Sequence, residues 1–188
     1  MRSPGFYGAA PLSALQGGAG RTFVSGGYYT GMMTGSDTSA ALSSEFEHAI
    51  RFEVGATTRF TTMGLEVVSG TASNVIRLGV RYDNGNGYPG TLLVDAGTID
   101  AATLGFKTAT PFNQTLTPGR WWLTATLQVA TGSTVRTRPV DNFLGFANSA
   151  SSNAGCYAQS GITGALPASF STTIATSGNA PKIMLRPA

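Results

Sequence analysis

The chain of 188 residues contains one histidine and one cysteine, so the chemistry open to it is narrow. A nucleophile–base pair would have to join Cys156 to His48, and no Gly-x-Ser-x-Gly elbow offers a serine instead. His48 lies between glutamates in Glu45-Phe46-Glu47-His48-Ala49 and reads as a structural histidine. Cys156 reads as a small apolar strand residue. Of the nine acids, Asp83, Asp95, Asp100 and Asp141 sit where loops or strand ends are expected, but spacing alone pairs no two of them for glycoside hydrolysis. Asp83-Asn84-Gly85-Asn86-Gly87 has the oxygen-rich look of a calcium loop. Gly85 stands at the third ligand position, however, and Val94 at the closing glutamate. A hairpin turn is the better reading, and no metal, cofactor or catalytic residue is expected. A polysaccharide-degrading enzyme is the weakest alternative.

Recognition chemistry has better candidates. Sugars are held by aromatic faces against their C–H surfaces, with carboxylates, amides and guanidinium groups satisfying the hydroxyls. Trp122, on the polar face of its predicted strand with Arg120 and Thr124, has the composition of such a platform. Tyr82, Asp83, Asn86 and Tyr88 form a second set at a predicted loop end. The competing reading for Trp122 is cover by a second sheet or a neighbouring subunit.

These residues sit in a chain of unusual surface chemistry. Charged residues make up 11 %, against about 25 % in ordinary globular domains. Ten of the twelve cations are arginine, with Lys107 and Lys182 the exceptions. After residue 100 the only acid is Asp141, set against Lys107, Arg120, Arg136, Arg138, Lys182 and Arg186. A formal charge of +3 does not by itself indicate a nucleic-acid ligand, since that would need the cations gathered on one surface beside aromatics. No nucleic-acid partner is therefore expected. A single cysteine excludes an intrachain disulfide, the first residues show no apolar signal-peptide core, and no apolar run reaches the roughly 18 residues of a membrane span.

The elements needed to position the candidates are strands. Ile76, Leu78, Val80 and Tyr82 alternate with Arg77 and Arg81. Trp121, Leu123, Ala125, Leu127 and Val129 alternate with Trp122, Thr124, Thr126 and Gln128. Further strands are predicted at 50–54, 60–68, 91–95 and 112–116, and near 143–146, 155–159, 170–175 and 182–186. Pro89-Gly90 is read as a turn, 43–48 as a short helical turn, and 97–105 as either strand or short helix. Turn signals every eight to twelve residues point to an all-β chain, an antiparallel, jelly-roll-like β-sandwich over residues 23–188. Ile76, Leu78, Val80, Leu65, Val67, Trp121, Leu123 and Leu127 are its expected core. Residues 1–22 carry no sustained period. Phe6, Tyr7, Leu12 and Leu15 among their glycines and prolines read as anchors of an extended N-terminal assembly arm, with a flexible terminus as the alternative.

Arg77-Leu78-Gly79-Val80-Arg81-Tyr82, the turn from Asp83 to Gly90, the strand Thr91 to Asp95 and Pro118-Gly119-Arg120-Trp121-Trp122-Leu123 together resemble a β-sandwich domain. That domain recurs in surface proteins of tailed-phage virions and gene-transfer-agent particles. The resemblance spans about residues 45–130. Arg81 before Tyr82, and Trp121 where tyrosine is usual, depart from the pattern. The resemblance implies a tail-fibre, baseplate, head-spike or head-decoration protein, assembled in the host cytoplasm and released by lysis. It implies contact with other virion structural proteins, a homo-oligomer with a trimer favoured, and attachment to host surface polysaccharide, while the short apolar runs lead to the expectation of no membrane insertion. A capsid decoration protein with a purely stabilising role is the alternative.

Overall fold

The structure is a computed structural model that describes residues 23–31, 36–129, 131–139, 156–171, 175–177 and 179–188. The arm anchors Phe6, Tyr7, Leu12 and Leu15, the strand expected at 143–146, and Asp141 lie outside the described residues.

Two antiparallel sheets pack face to face as a sandwich, and no helix occurs among the described residues. One sheet holds β1 (Tyr29–Thr30), β2 (Thr38–Ala41), β4 (Thr58–Ser69), β7 (Gly105–Ala109), β8 (Gln114–Leu116), β10 (Thr134–Pro139), β13 (Asn179–Pro181) and β14 (Met184–Pro187). Its long strand β4 pairs with β14 and β10 and also with β7 and β8. The other sheet runs β12 (Ala175–Ser177), β11 (Cys156–Gln159), β3 (Glu47–Val54), β9 (Gly119–Gln128), β5 (Val75–Asp83), β6 (Pro89–Asp100). The C-terminal segment docks as a strand on β4, as its short β-like sequence predicts.

Period-two alternation decides what lies between the sheets. The register sets Ile50 beside Leu123 and Leu123 beside Val80, and Leu78 beside Ala125, so one face of β3, β9 and β5 is apolar except for His48, which sits beside Ala125. From the facing sheet, β4 contributes Phe60, Met63, Leu65 and Val67. All eight expected core residues lie in this cluster. Phe23 closes one end. Its ring is 5.6 Å from Phe52 of one sheet and 5.1 Å from Phe60 of the other.

One open reading is decided and three local expectations are corrected. Residues 97–105 continue β6 to Asp100 and then turn into β7, because strand pairing of Val75 and Ile76 with Asp100 and Ile99 outweighs the local helical spacing. Residues 43–48 form an isolated bridge at Ser44 and a turn through Glu45 (φ 63°) rather than a helical turn. Pro89 and Gly90 already belong to β6, with Pro89 opposite Asp83. Val129 leaves the sheet at φ 83° and is 68 % exposed.

The outer face of the six-stranded sheet is not left to water. Residues 160–171 cross it as a strap, with Ile162, Leu166 and Phe170 buried. Leu92 donates its amide to the Ala168 carbonyl (2.8 Å), Leu166 its amide to Asp95 Oδ2 (3.1 Å), and Gln128 its side-chain amide to the Gly164 carbonyl (2.6 Å). Gly79 makes the fit possible, since a Cβ there would lie 2.3 Å from Leu166 Cδ1.

Beneath the strap lies a fully buried ion pair. Arg81 Nε and Nη2 donate to the two oxygens of Glu47 at 2.7 and 2.9 Å. Two further N–H groups reach the carbonyls of Gly90 (3.2 Å) and Pro167 (3.0 Å). Gln159 donates to Glu47 Oε2 (2.6 Å) and accepts the Ser171 amide (2.6 Å), and the Phe170 ring centroid lies 5.4 Å from the guanidinium carbon. Removing one partner strands a charge where water cannot reach it. Arg81→Leu should therefore cost about 3–5 kcal/mol. Glu47→Leu with Arg81→Leu should regain most of that loss, and urea unfolding of the single and double variants measures both. A double variant no more stable than the single would show that the strap needs the charges themselves.

Candidate functional site

The candidate recognition residues collect at one end of the six-stranded sheet, around the 83–89 loop that joins β5 to β6. The sequence folds this way because its asparagine and aspartate side chains stand in for backbone partners. Asp83 Oδ1 accepts the amides of Gly85 (2.9 Å) and Gly87 (3.3 Å). Asn84 Oδ1 accepts those of Asn86 (2.9 Å) and Tyr88 (3.3 Å). Gly85 and Gly87 take φ of 88° and 83°, the left-handed values the turn reading expects. The loop is thus ordered from within, and the Asn86 side chain is exposed at its tip.

Asp83 also ties the loop to β9. Its Oδ2 accepts the Trp122 indole N–H at 3.0 Å and lies 3.8 Å from Arg120 Nη1. Both carboxylate oxygens are therefore already engaged. Arg120 stands opposite Glu53 in the register and keeps part of its guanidinium in solvent. Tyr88 packs half-buried on Tyr157, with ring centroids 5.0 Å apart. Arg120, Asp83, Asn86 and Tyr88 are thus brought together.

Trp122 and Tyr82 do not join them as exposed groups on the same surface. Trp122 is on the polar face of β9, as alternation requires, but its exposure is 0 %. Tyr157 lies 5.4 Å from it between ring centroids, and Ala49, Phe170 and Tyr88 complete the cover. The cover comes from this chain's own β11 and strap rather than from a second sheet or a subunit neighbour, and the indole offers no face to a sugar. Tyr82 points to the opposite side of its strand. It packs beside Trp121 with centroids 5.1 Å apart and is 43 % exposed at the sandwich end.

Tyr157 was not a candidate from sequence. Its phenol pKa is pushed up to about 12, first by burial and then by the charge and hydrogen bond of Tyr88. The paired glutamate and glutamine under the strap, Glu47 and Gln159, were also missed. The polar alternation of Arg77 and Arg81 was visible, but nothing local shows that Arg81 is buried while Arg77 pairs with Asp95 near the surface.

The possible nucleophile and base are both interior. His48 is buried, its ring nitrogen Nδ1 is 3.1 Å from the Phe46 carbonyl, and burial pulls its pKa below the ordinary imidazole value. Cys156 is buried in the core. Asp95 is held by Arg77. Asp100 is lowered to about 2, chiefly by the Thr103 hydroxyl and the Ala102 amide. Among the described residues no three metal-ligating side chains gather.

The chain matches no protein-family model, and no curated protein is similar to it in sequence.

Two outcomes test the described arrangement. Because the fold favours the neutral Tyr157, the stability this adds is complete below the ordinary phenol value of 10.0 and is lost as pH rises towards about 12. Tyrosinate absorbance and unfolding midpoints should show that loss, and Tyr88→Phe should move the Tyr157 titration towards its ordinary value. Phe170→Ala should open the cover over Trp122, raising acrylamide quenching of the single indole in a Trp121→Phe background. Unchanged quenching would mean the strap does not shield Trp122.

Proposed function

We propose that this chain is a structural protein on the surface of a phage-like particle, in a tail or head appendage, and that it contributes to attachment to host-surface glycan. Its support begins with the motif-bearing segments. The Arg77–Tyr82 strand, the Asp83–Gly90 segment, the Thr91–Asp95 strand and the Arg120–Leu123 strand fall on β5, β6 and β9, which are hydrogen-bonded neighbours in one sheet. The observation that carries the attachment reading is the loop end itself. Arg120, Asn86 and Tyr88 surround a turn held rigid by its own Asx hydrogen bonds, so donors, an amide and a ring edge are held in place before any ligand arrives. Weak contacts of this kind become effective when several copies engage together, which fits a homo-oligomer, with a trimer favoured through the resemblance, displayed among other particle proteins.

A second reading has its own observation. Both Asp83 oxygens are occupied internally and Trp122 is covered, so much of the recognition chemistry at this end is committed to holding the fold. That favours a capsid decoration protein with a stabilising role alone.

A glycan array probed with the purified oligomer separates the two. Attachment requires retention on host-envelope polysaccharide that weakens by about tenfold in Arg120→Ala and Asn86→Ala without a change in unfolding midpoint. It also requires reduced host adsorption by particles lacking the protein. Silence on every glycan together with unchanged adsorption would leave only the stabilising role, and release of reducing ends would reopen the enzymatic alternative.

A further inference from the structure

The outer face of the eight-stranded sheet presents a different surface, and its composition follows from the pleat of β4. Met63, Leu65 and Val67 turn inward, so Thr62, Gly64 and Glu66 turn outward. The register then sets Arg186 beside Thr62, Met184 and Thr108 beside Gly64, and Phe106 beside Glu66. Phe106 leans over Gly64, where a Cβ would stand 3.0 Å from its Cζ and 2.2 Å from the Lys107 carbonyl oxygen. Tyr28 reaches in from the other side, meeting Phe106 edge to face with centroids 5.1 Å apart. The two rings are 45 % and 39 % exposed, and the Arg186 guanidinium carbon lies 5.7 Å from the Tyr28 centroid. Arg186 has no carboxylate partner among the described ion pairs.

Cations continue across the face. Arg136 donates to both oxygens of Glu66, at 3.0 and 3.1 Å. Arg138 and Lys182 share Asp37, Lys182 at 2.7 Å. Among the described ion pairs Arg136, Arg138, Lys182 and Arg186 meet only Asp37 and Glu66, so these six side chains carry an excess of two positive charges beside two exposed rings. Both carboxyls are held below their ordinary values by these cations, Asp37 at about 2. The strap covers the opposite outer face of the sandwich, whereas no described segment crosses this one.

We propose that this face binds an acidic polysaccharide. The exposed rings take the C–H surfaces of the sugars, and Arg186 with the Arg136–Arg138–Lys182 group takes their carboxylates. Glu66 and Asp37 hold the Arg136, Arg138 and Lys182 head groups in place through their ion pairs. A nucleic acid fits less well, because rings set edge to face offer no parallel platform for successive bases. A second copy of the chain paired through this face would set the two positive excesses against each other. This site is distinct from the 83–89 loop end and does not depend on the chain belonging to a particle.

Affinity electrophoresis of the intact protein through gels containing alginate, a polyuronate, tests the proposal against neutral dextran and an oligodeoxythymidylate competitor. Alginate should retard the protein in a salt-sensitive way and dextran should not. Tyr28→Ala with Phe106→Ala, and separately Arg186→Gln, should weaken retardation by about tenfold with the unfolding midpoint kept. Asn86→Ala and Arg120→Ala should leave it unchanged. Loss of alginate binding in the loop variants alone would overturn the proposal while sparing the loop-end reading. Equal retardation by dextran, tighter binding of the oligonucleotide, no retardation at all, or indifference to the ring and Arg186 variants would each overturn it. So would self-association that those variants abolish.

Discussion

The buried pair of Arg81 and Glu47 is the constraint on which the rest of the six-stranded sheet depends. A guanidinium and a carboxylate taken wholly out of water are tolerable only when their hydrogen-bonding groups are met. Here the Gly90 and Pro167 carbonyls and the Gln159 amide meet them. Each of those partners belongs to a different segment. β6 must approach β5 through Gly90, β11 must lie beside β3 for Gln159 to reach Glu47, and the strap must cross the face for Pro167 to arrive. The pair therefore fixes where these segments sit relative to one another, even though an apolar replacement of equal volume could be as stable.

That arrangement gives the two faces of the sandwich different roles. On one side the strap turns a polar sheet face into a second interior, with Trp122, Tyr157 and Phe170 as its small apolar cluster. On the other, β4 has strands paired along both of its edges, and its outward residues are met by charges and rings that remain in contact with solvent. Exposed cations, amides and rings are therefore left at the 83–89 loop end and on the outer face of the eight-stranded sheet.

Much of the frame was legible because strands declare themselves by alternation. β5 and β9 were each readable residue by residue. The expected core members Ile76, Leu78, Val80, Trp121, Leu123 and Leu127 required only a period of two, and Leu65 and Val67 followed in the same way. The 83–87 turn was legible because asparagine, aspartate and glycine there have few other uses. Residues 97–105 and 43–48 were less legible, because their local spacing suits more than one conformation and the choice falls to the strand across the ladder.

Sequence by itself thus determined the all-β class, the core faces and the location of the tightest turn, since each depends on residues within a few positions of one another. Tertiary structure alone decided that Trp122 is covered and that Arg81 is buried while Arg77 stays near the surface. It also decided that Tyr28, Phe106 and Arg186 meet on one face although they lie far apart in the chain. Burial of an outward-facing strand residue is set by whether a distant segment crosses above it. The strap that does so holds through backbone carbonyls and amides, which every residue carries and no residue type announces.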